Sequence, residues 1–174
     1  VAAELNRLVV DALWEAGVPA LRIQPSASAH CRAGELLALD DRPLIAALEH
    51  GLAPVVHGDV ALDDVRGGTI ISTEEIFGWL APRLRPQRVV LVGEVPGVLT
   101  ADPSSGAEGE VIDGITPATL PLLAETLGGS RGVDVTGGMV AKVAQMVNLV
   151  LTTPSLAYVQ VITGLTPGLL HRVL

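Results

Sequence analysis

The run RVVLVG, Arg88 to Gly93, constrains the fold more than any other stretch. Its four central side chains are all valine or leucine, bounded by an arginine and a glycine, and offer no polar face to water. Such a run reads as a strand buried on both sides, the kind found in parallel sheets covered by helices. Parallel strands cannot be joined by tight turns, so helical crossovers should flank it.

The rest of the chain supplies them. Leu5, Leu8, Val9, Ala12 and Leu13 fall at helical spacing over residues 5–16, with Gly17 as a stop. PALRI reads as a short strand, and the serine-rich residues 25–34 as a loop. A second helix is expected over residues 42–50, ending at Gly51, followed by an apolar strand in APVVHGD that enters a loop holding Gly58, Asp59 and Asp63. GGTII is another short strand, and Ser72 with Glu75 forms a capping box for a helix in TEEIFGWLAPRL, which Pro82 kinks or ends. Thr116-Pro117 reads as a cap and first-turn proline for a helix reaching Leu127, with Gly128 and Gly129 beyond it. A long helix over residues 137–151, a strand in AYVQVIT and a helix starting at Thr166-Pro167 complete the order. Alternating strands and helices predict an α/β fold, a mainly parallel sheet covered on both faces. Hairpin pieces are expected after the HGD strand and around residues 98–112. The absence of repeats or linkers argues for a single domain over residues 1–174.

Composition narrows the function. The chain is 49% hydrophobic, yet no apolar run approaches the roughly 18 residues of a membrane helix. With net charge −8 it has no basic stripe for a nucleic-acid backbone and no long-range attraction to an acidic membrane. The single cysteine, Cys31, excludes an intrachain disulfide and suits a reducing cytoplasm. It lies in the serine-rich segment with no identifiable base, and reads as a bystander. The chain opens on Val1 rather than methionine, which suggests a piece of a longer protein.

DVTGGMVAK, Asp134 to Lys142, is the least ordinary stretch. Each of Gly137 and Gly138 costs a helix about 1 kcal/mol against alanine, yet a helical apolar pattern starts there at once. A helix N-terminus offers unpaired N–H groups, and glycines let a bulky anion approach them. Lys142, about one turn beyond Gly138, could reach the same anion, which makes the stretch a candidate phosphate site. A loop needing positive φ followed by a surface lysine is the alternative. Glu94, at the end of the central strand, is placed to face a ribose or a metal, or simply to be solvated. His57 beside Gly58 and Asp59 could touch a ligand or orient its loop. Asp59, Asp63 and Asp64 could hold Mg²⁺ through water or form an acidic turn. Arg66-Gly67-Gly68 and Asp102-Pro103 read as turns. His30, His50, His57 and His171 lack metal-site spacing, and no Walker A, dinucleotide-binding or G-x-S-x-G motif occurs.

Taken together, PVVHGDVALDDVRGGTIISTEEIFGWLA, RVVLVGEVPGVLTADP and VDVTGGMVAKV resemble the amino acid kinase family, and within it the isopentenyl phosphate kinases. The resemblance implies an αβα sandwich in three layers, ATP and Mg²⁺ as cofactors, and a homodimer. It also implies ATP-dependent phosphorylation of isopentenyl phosphate to the diphosphate in a mevalonate-type isoprenoid route. Carried over by position, Glu94, Gly137, Gly138 and Lys142 match nucleotide-side residues, Lys142 neutralising charge in transfer. Gly58, Ser72 and Thr73 match the acceptor side. The family's I-S-G-D segment reads Ile71-Ser72-Thr73-Glu74 here, and its T-D-V-D-G reads Gly93-Glu94-Val95-Pro96-Gly97. These departures keep other acceptors open, such as fosfomycin, a nucleoside monophosphate or an acidic amino acid, as well as a non-catalytic nucleotide binder. The family's upstream lysine- and glycine-rich loops are not in these residues. The chain should therefore be the middle and C-terminal, nucleotide-binding part, inactive by itself.

Overall fold

The computed structural model describes residues 1–101, 109–127 and 138–174. The chain divides into two compact units, Val1–Leu84 and Arg85–Leu174. Parallel α/β pairing appears in each.

In the first unit α1 (Ala2–Glu15) ends at Gly17, whose φ of +79° glycine adopts without strain. β1 (Ala20–Arg22) pairs in parallel with β4 (Ala53–Val55), the crossover carrying α2 (Arg42–Glu49). Leu5, Leu8 and Val9 are 61%, 51% and 42% exposed, while Asn6 and Val10 are buried. The inward face is set by Asn6, whose Nδ2 donates to the Val55 carbonyl at 3.2 Å.

The serine-rich segment is not all loop. After a single 3-10 turn at Pro25–Ala27, β2 (His30–Arg32) and β3 (Glu35–Ala38) form a hairpin. Its two-residue turn places Ala33 at φ 54° and Gly34 at φ 95°, the left-handed pair that matches strand twist. The residues after HGD are likewise a strand, β5 (Asp59–Asp63), antiparallel to β6 (Gly67–Ile71) as the expected hairpin. The sheet order is β3-β2-β5-β6, with β2 and β5 parallel. Its inner face buries Cys31, Ala61 and Ile71 against Ile76 and Leu80 of α3 (Thr73–Leu84). Pro82 lies inside α3, which ends two residues later. The capping box forms as expected: Ser72 N–H donates to Glu75 Oε2 at 2.6 Å, and Glu75 N–H to Ser72 Oγ at 3.1 Å.

In the second unit β7 (Arg88–Gly93) pairs in parallel with β8 (Tyr158–Thr163) over its whole length. β7 is half-buried rather than fully buried, with Val92 and Gly93 exposed, because β8 is its one strand neighbour among the described residues. The expected piece at residues 98–112 appears as an antiparallel bridge between Leu99 and Val111. α4 runs Leu120–Leu127, starting later than Thr116. Pro121 has no N–H to donate back to residue 117, so it fits only in the first turn of the helix. Thr116 instead caps the preceding turn, accepting from Thr119 N–H at 3.3 Å. α5 (Gly138–Thr152) packs on β8, with Val143 buried beside Val98 and Leu123. The final helix, α6, is short, Leu169–Val173, beginning after Gly168 in the left-handed region.

Candidate functional site

On the first unit the acceptor-side candidates meet where the β5–β6 hairpin returns to α3. A Cβ built on Gly58 would lie 3.2 Å from the Ile71 carbonyl oxygen and 3.4 Å from both the nitrogen and the hydroxyl of Thr73. Gly58 therefore lets the chain leaving β4 run directly against the start of α3. Thr73 is the first residue of that helix and Ser72 caps it, so Gly58, Ser72 and Thr73 form one corner.

Next to Gly58, His57 has only 13% of its side chain exposed. Both ring nitrogens are shielded from solvent and neither has a hydrogen-bond partner. The nearest carboxylate oxygen, Asp59 Oδ2, is 3.8 Å from Nε2, beyond a hydrogen bond. Asp59 is committed elsewhere, Oδ2 accepting the Ser26 N–H and Oδ1 that of Val60. Burial alone would raise its pKa, but these N–H bonds, together with the Ser26 side chain and His57, lower it.

Asp63 is a structural clasp. It is 5% exposed and accepts the backbone N–H groups of Ala33, Gly34, Val65 and Arg66 at 2.7–3.1 Å, binding the two hairpin turns together. Desolvation opposes its charge, yet the four N–H donors pull its pKa down to about 2. Asp64 sits 3.1 Å from His30 Nε2. Among the described residues no group of three or more histidine, cysteine, aspartate or glutamate side chains could hold a metal. Cys31 is fully buried in β2, and burial, with Asp63 and Glu75 nearby, pushes its thiol pKa up, away from reactivity.

On the second unit the carboxyl ends of β7 and β8 lie side by side, Gly93 opposite Thr163. Glu94 follows β7 and is exposed; its carbonyl accepts the Thr163 hydroxyl at 3.2 Å, and Gly164 N–H donates to the Gly93 carbonyl at 2.8 Å. Gly138 opens α5 and Lys142 is one turn in, half-buried, directly before the core residue Val143. Gly137, like Asp102-Pro103 and Gly128-Gly129, lies outside the described residues. Sequence reasoning left His57 open between ligand contact and loop orientation. The missing signal was the fate of its ring nitrogens, which needs coordinates.

Residues 1–153 match the model of the amino acid kinase family. The isopentenyl phosphate kinase of Methanothermobacter thermautotrophicus is 36% identical over 173 residues, 98% of this chain and 63% of its own length. That of Haloferax volcanii is 41% identical over 145 residues, covering 83% of this chain and 55% of its own length. A crystal structure of isopentenyl phosphate kinase superposes with a TM-score of 0.77 at 31% identity, over 98% of this chain and 61% of the other. The chain thus spans somewhat over half the length of these relatives. Among the described residues no helix is long and apolar enough to cross a membrane. The fold and these matches place the chain in the amino acid kinase family.

Proposed function

We propose that the complete protein transfers the γ-phosphoryl group of ATP to isopentenyl phosphate, forming isopentenyl diphosphate and ADP. The observation that carries this reading is likeness to isopentenyl phosphate kinase over 98% of the chain, spanning the candidate residues of both units. The parts suit the chemistry. Phosphoryl transfer asks a protein mainly to position the reactants and neutralise charge. The N-terminus of α5 presents N–H groups at a residue without a side chain, and Lys142 follows on the next turn. In this proposal Gly138 and Lys142 hold the nucleotide phosphates, with Glu94 near the nucleotide. Gly58, Ser72 and Thr73 face the acceptor. Mg²⁺, when bound, neutralises charge on the phosphate oxygens. The protein acts in the cytoplasm, as a homodimer.

The test is ADP release by the complete protein with Mg²⁺-ATP, comparing isopentenyl phosphate with fosfomycin, uridylate and glutamate. The expected preference in kcat/KM for isopentenyl phosphate is about a hundredfold or more. Faster turnover of another acceptor overturns the substrate, and no turnover of any overturns the activity.

A further inference from the structure

A parallel ladder stops where its strands stop, and the chain leaving each strand must be held by other means. β7 and β8 reach their carboxyl ends together, Gly93 opposite Thr163, and one further rung follows, the Gly164 N–H donating to the Gly93 carbonyl at 2.8 Å. Beyond that rung the Thr163 hydroxyl takes over. Its oxygen accepts the Leu165 N–H at 3.1 Å, and its proton goes to the Glu94 carbonyl at 3.2 Å. The exit of β8 lies close against β7, since a Cβ built on Gly164 would stand 3.0 Å from Val92 Cγ1.

The segment this hydroxyl holds, residues 94–97, has few other anchors. Gly97 is buried, and a Cβ on it would lie 2.8 Å from Val111 Cγ1, so the far end is packed. Pro96 has no N–H to donate. Among the described residues the bond from Thr163 is the one hydrogen bond made to residues 94–97. The same end of the strand pair receives the N-terminus of α5. That helix has 15 residues, about 22 Å of rise, and returns through residues 153–157 into β8, on which it packs and whose 6 residues span about 20 Å. Helix and strand therefore run in opposite directions, and Gly138 and Lys142 lie toward the end of β8 where Thr163 stands.

We propose that Thr163 is a positioning residue for the nucleotide, its hydroxyl fixing residues 94–97 in the conformation that receives ATP. The inference rests on the kinase reading above, which puts Glu94 near the nucleotide, and adds to it the group that holds Glu94 there. A segment fixed before ATP arrives need not be ordered on binding, so loss of the tether weakens ATP and spares the acceptor. The bonded groups are exposed, so water replaces the bond and no buried atom is left unsatisfied.

The test uses the complete protein and the variants Thr163→Val and Thr163→Ser. Valine keeps the β-branched shape that suits a strand and removes the hydroxyl, whereas serine keeps the hydroxyl. Thr163→Val should raise KM for ATP about three- to tenfold, as expected for loss of one neutral hydrogen bond, with KM for isopentenyl phosphate and kcat near wild type. Thr163→Ser should recover most of the affinity for ATP. The proposal is overturned by an unchanged KM for ATP in Thr163→Val, by equal rises in both KM values, or by a serine variant as impaired as the valine one. Wild-type protein that does not turn over isopentenyl phosphate overturns the kinase reading instead. Calorimetric binding of Mg²⁺-ATP to wild type and Thr163→Val then decides the role of Thr163: weaker binding by the variant supports it, and equal binding or none overturns it.

Discussion

Gly58→Ala and Gly78→Ala are the same chemical change in opposite surroundings, and together they test whether the corner at α3 is as tight as described. At Gly78, an exposed position inside α3, an added Cβ meets nothing within 4 Å. The substitution should stabilise the protein by about 1 kcal/mol, the helix-propensity difference between glycine and alanine. At Gly58 the same methyl lands 3.2 Å from the Ile71 carbonyl oxygen and 3.4 Å from Thr73 N, both backbone atoms that cannot rotate away. Either β4 or the start of α3 must give by a few tenths of an ångström. The cost is about 1–2 kcal/mol, at the low end for overpacking, and is partly offset by reduced freedom in the unfolded chain. The two variants should therefore differ by about 2 kcal/mol in urea unfolding at unchanged slope. Because two of the three displaced atoms belong to Thr73, Gly58→Ala should also raise KM for the acceptor while KM for ATP stays put. Equal stability of the two variants, with an unchanged acceptor KM, would refute the close approach.

Ser72→Ala removes one arm of the capping box and should cost about 1 kcal/mol, measured by thermal unfolding. Adding Glu75→Ala should cost less than the sum of the single changes, because the two side chains share one interaction. Asp63 supplies a pH signature. Its folded pKa of about 2 lies below the ordinary 3.8, so its contribution to stability is complete above 3.8 and is lost as the pH falls towards 2. Asp63→Asn should lower the midpoint at neutral pH and flatten stability between those two values, read by acid titration of the near-ultraviolet circular dichroism signal. Lys142→Ala should reduce kcat/KM for ATP by about a hundredfold or more in steady-state assays, while leaving the fold intact. Wild-type kinetics in that variant would remove Lys142 from the phosphate site.

Elements with strong local signals were legible in the sequence. RVVLVG supplied β7 residue for residue, and Ser72 with Glu75 marked the start of α3 because capping depends on two side chains three positions apart. The β2–β3 hairpin was not legible. Its strands are three and four residues long, and its turn uses Ala33 in the left-handed region rather than asparagine or glycine. That conformation is held by Asp63, 30 residues away, a contact that no local pattern announces. Helical periodicity marked α1 as a helix without naming its buried side, where Asn6 and Val10 lie and Asn6 bonds to the Val55 carbonyl. At the candidate site the glycines and Lys142 stood out by type and spacing. The adjacency of Gly58 to Thr73 and the unpartnered state of His57 depend on how β4, β6 and α3 meet in space.

The central claim is direct transfer of one phosphoryl group between two substrates, and ³¹P nuclear magnetic resonance of the complete protein with Mg²⁺-ATP and isopentenyl phosphate tests it most directly. The account predicts that the monophosphate resonance gives way to the paired resonances of a diphosphate ester, one for each ADP formed, and that Lys142→Ala slows both together. ADP accompanied by free inorganic phosphate, with the isopentenyl phosphate signal unchanged, would contradict it.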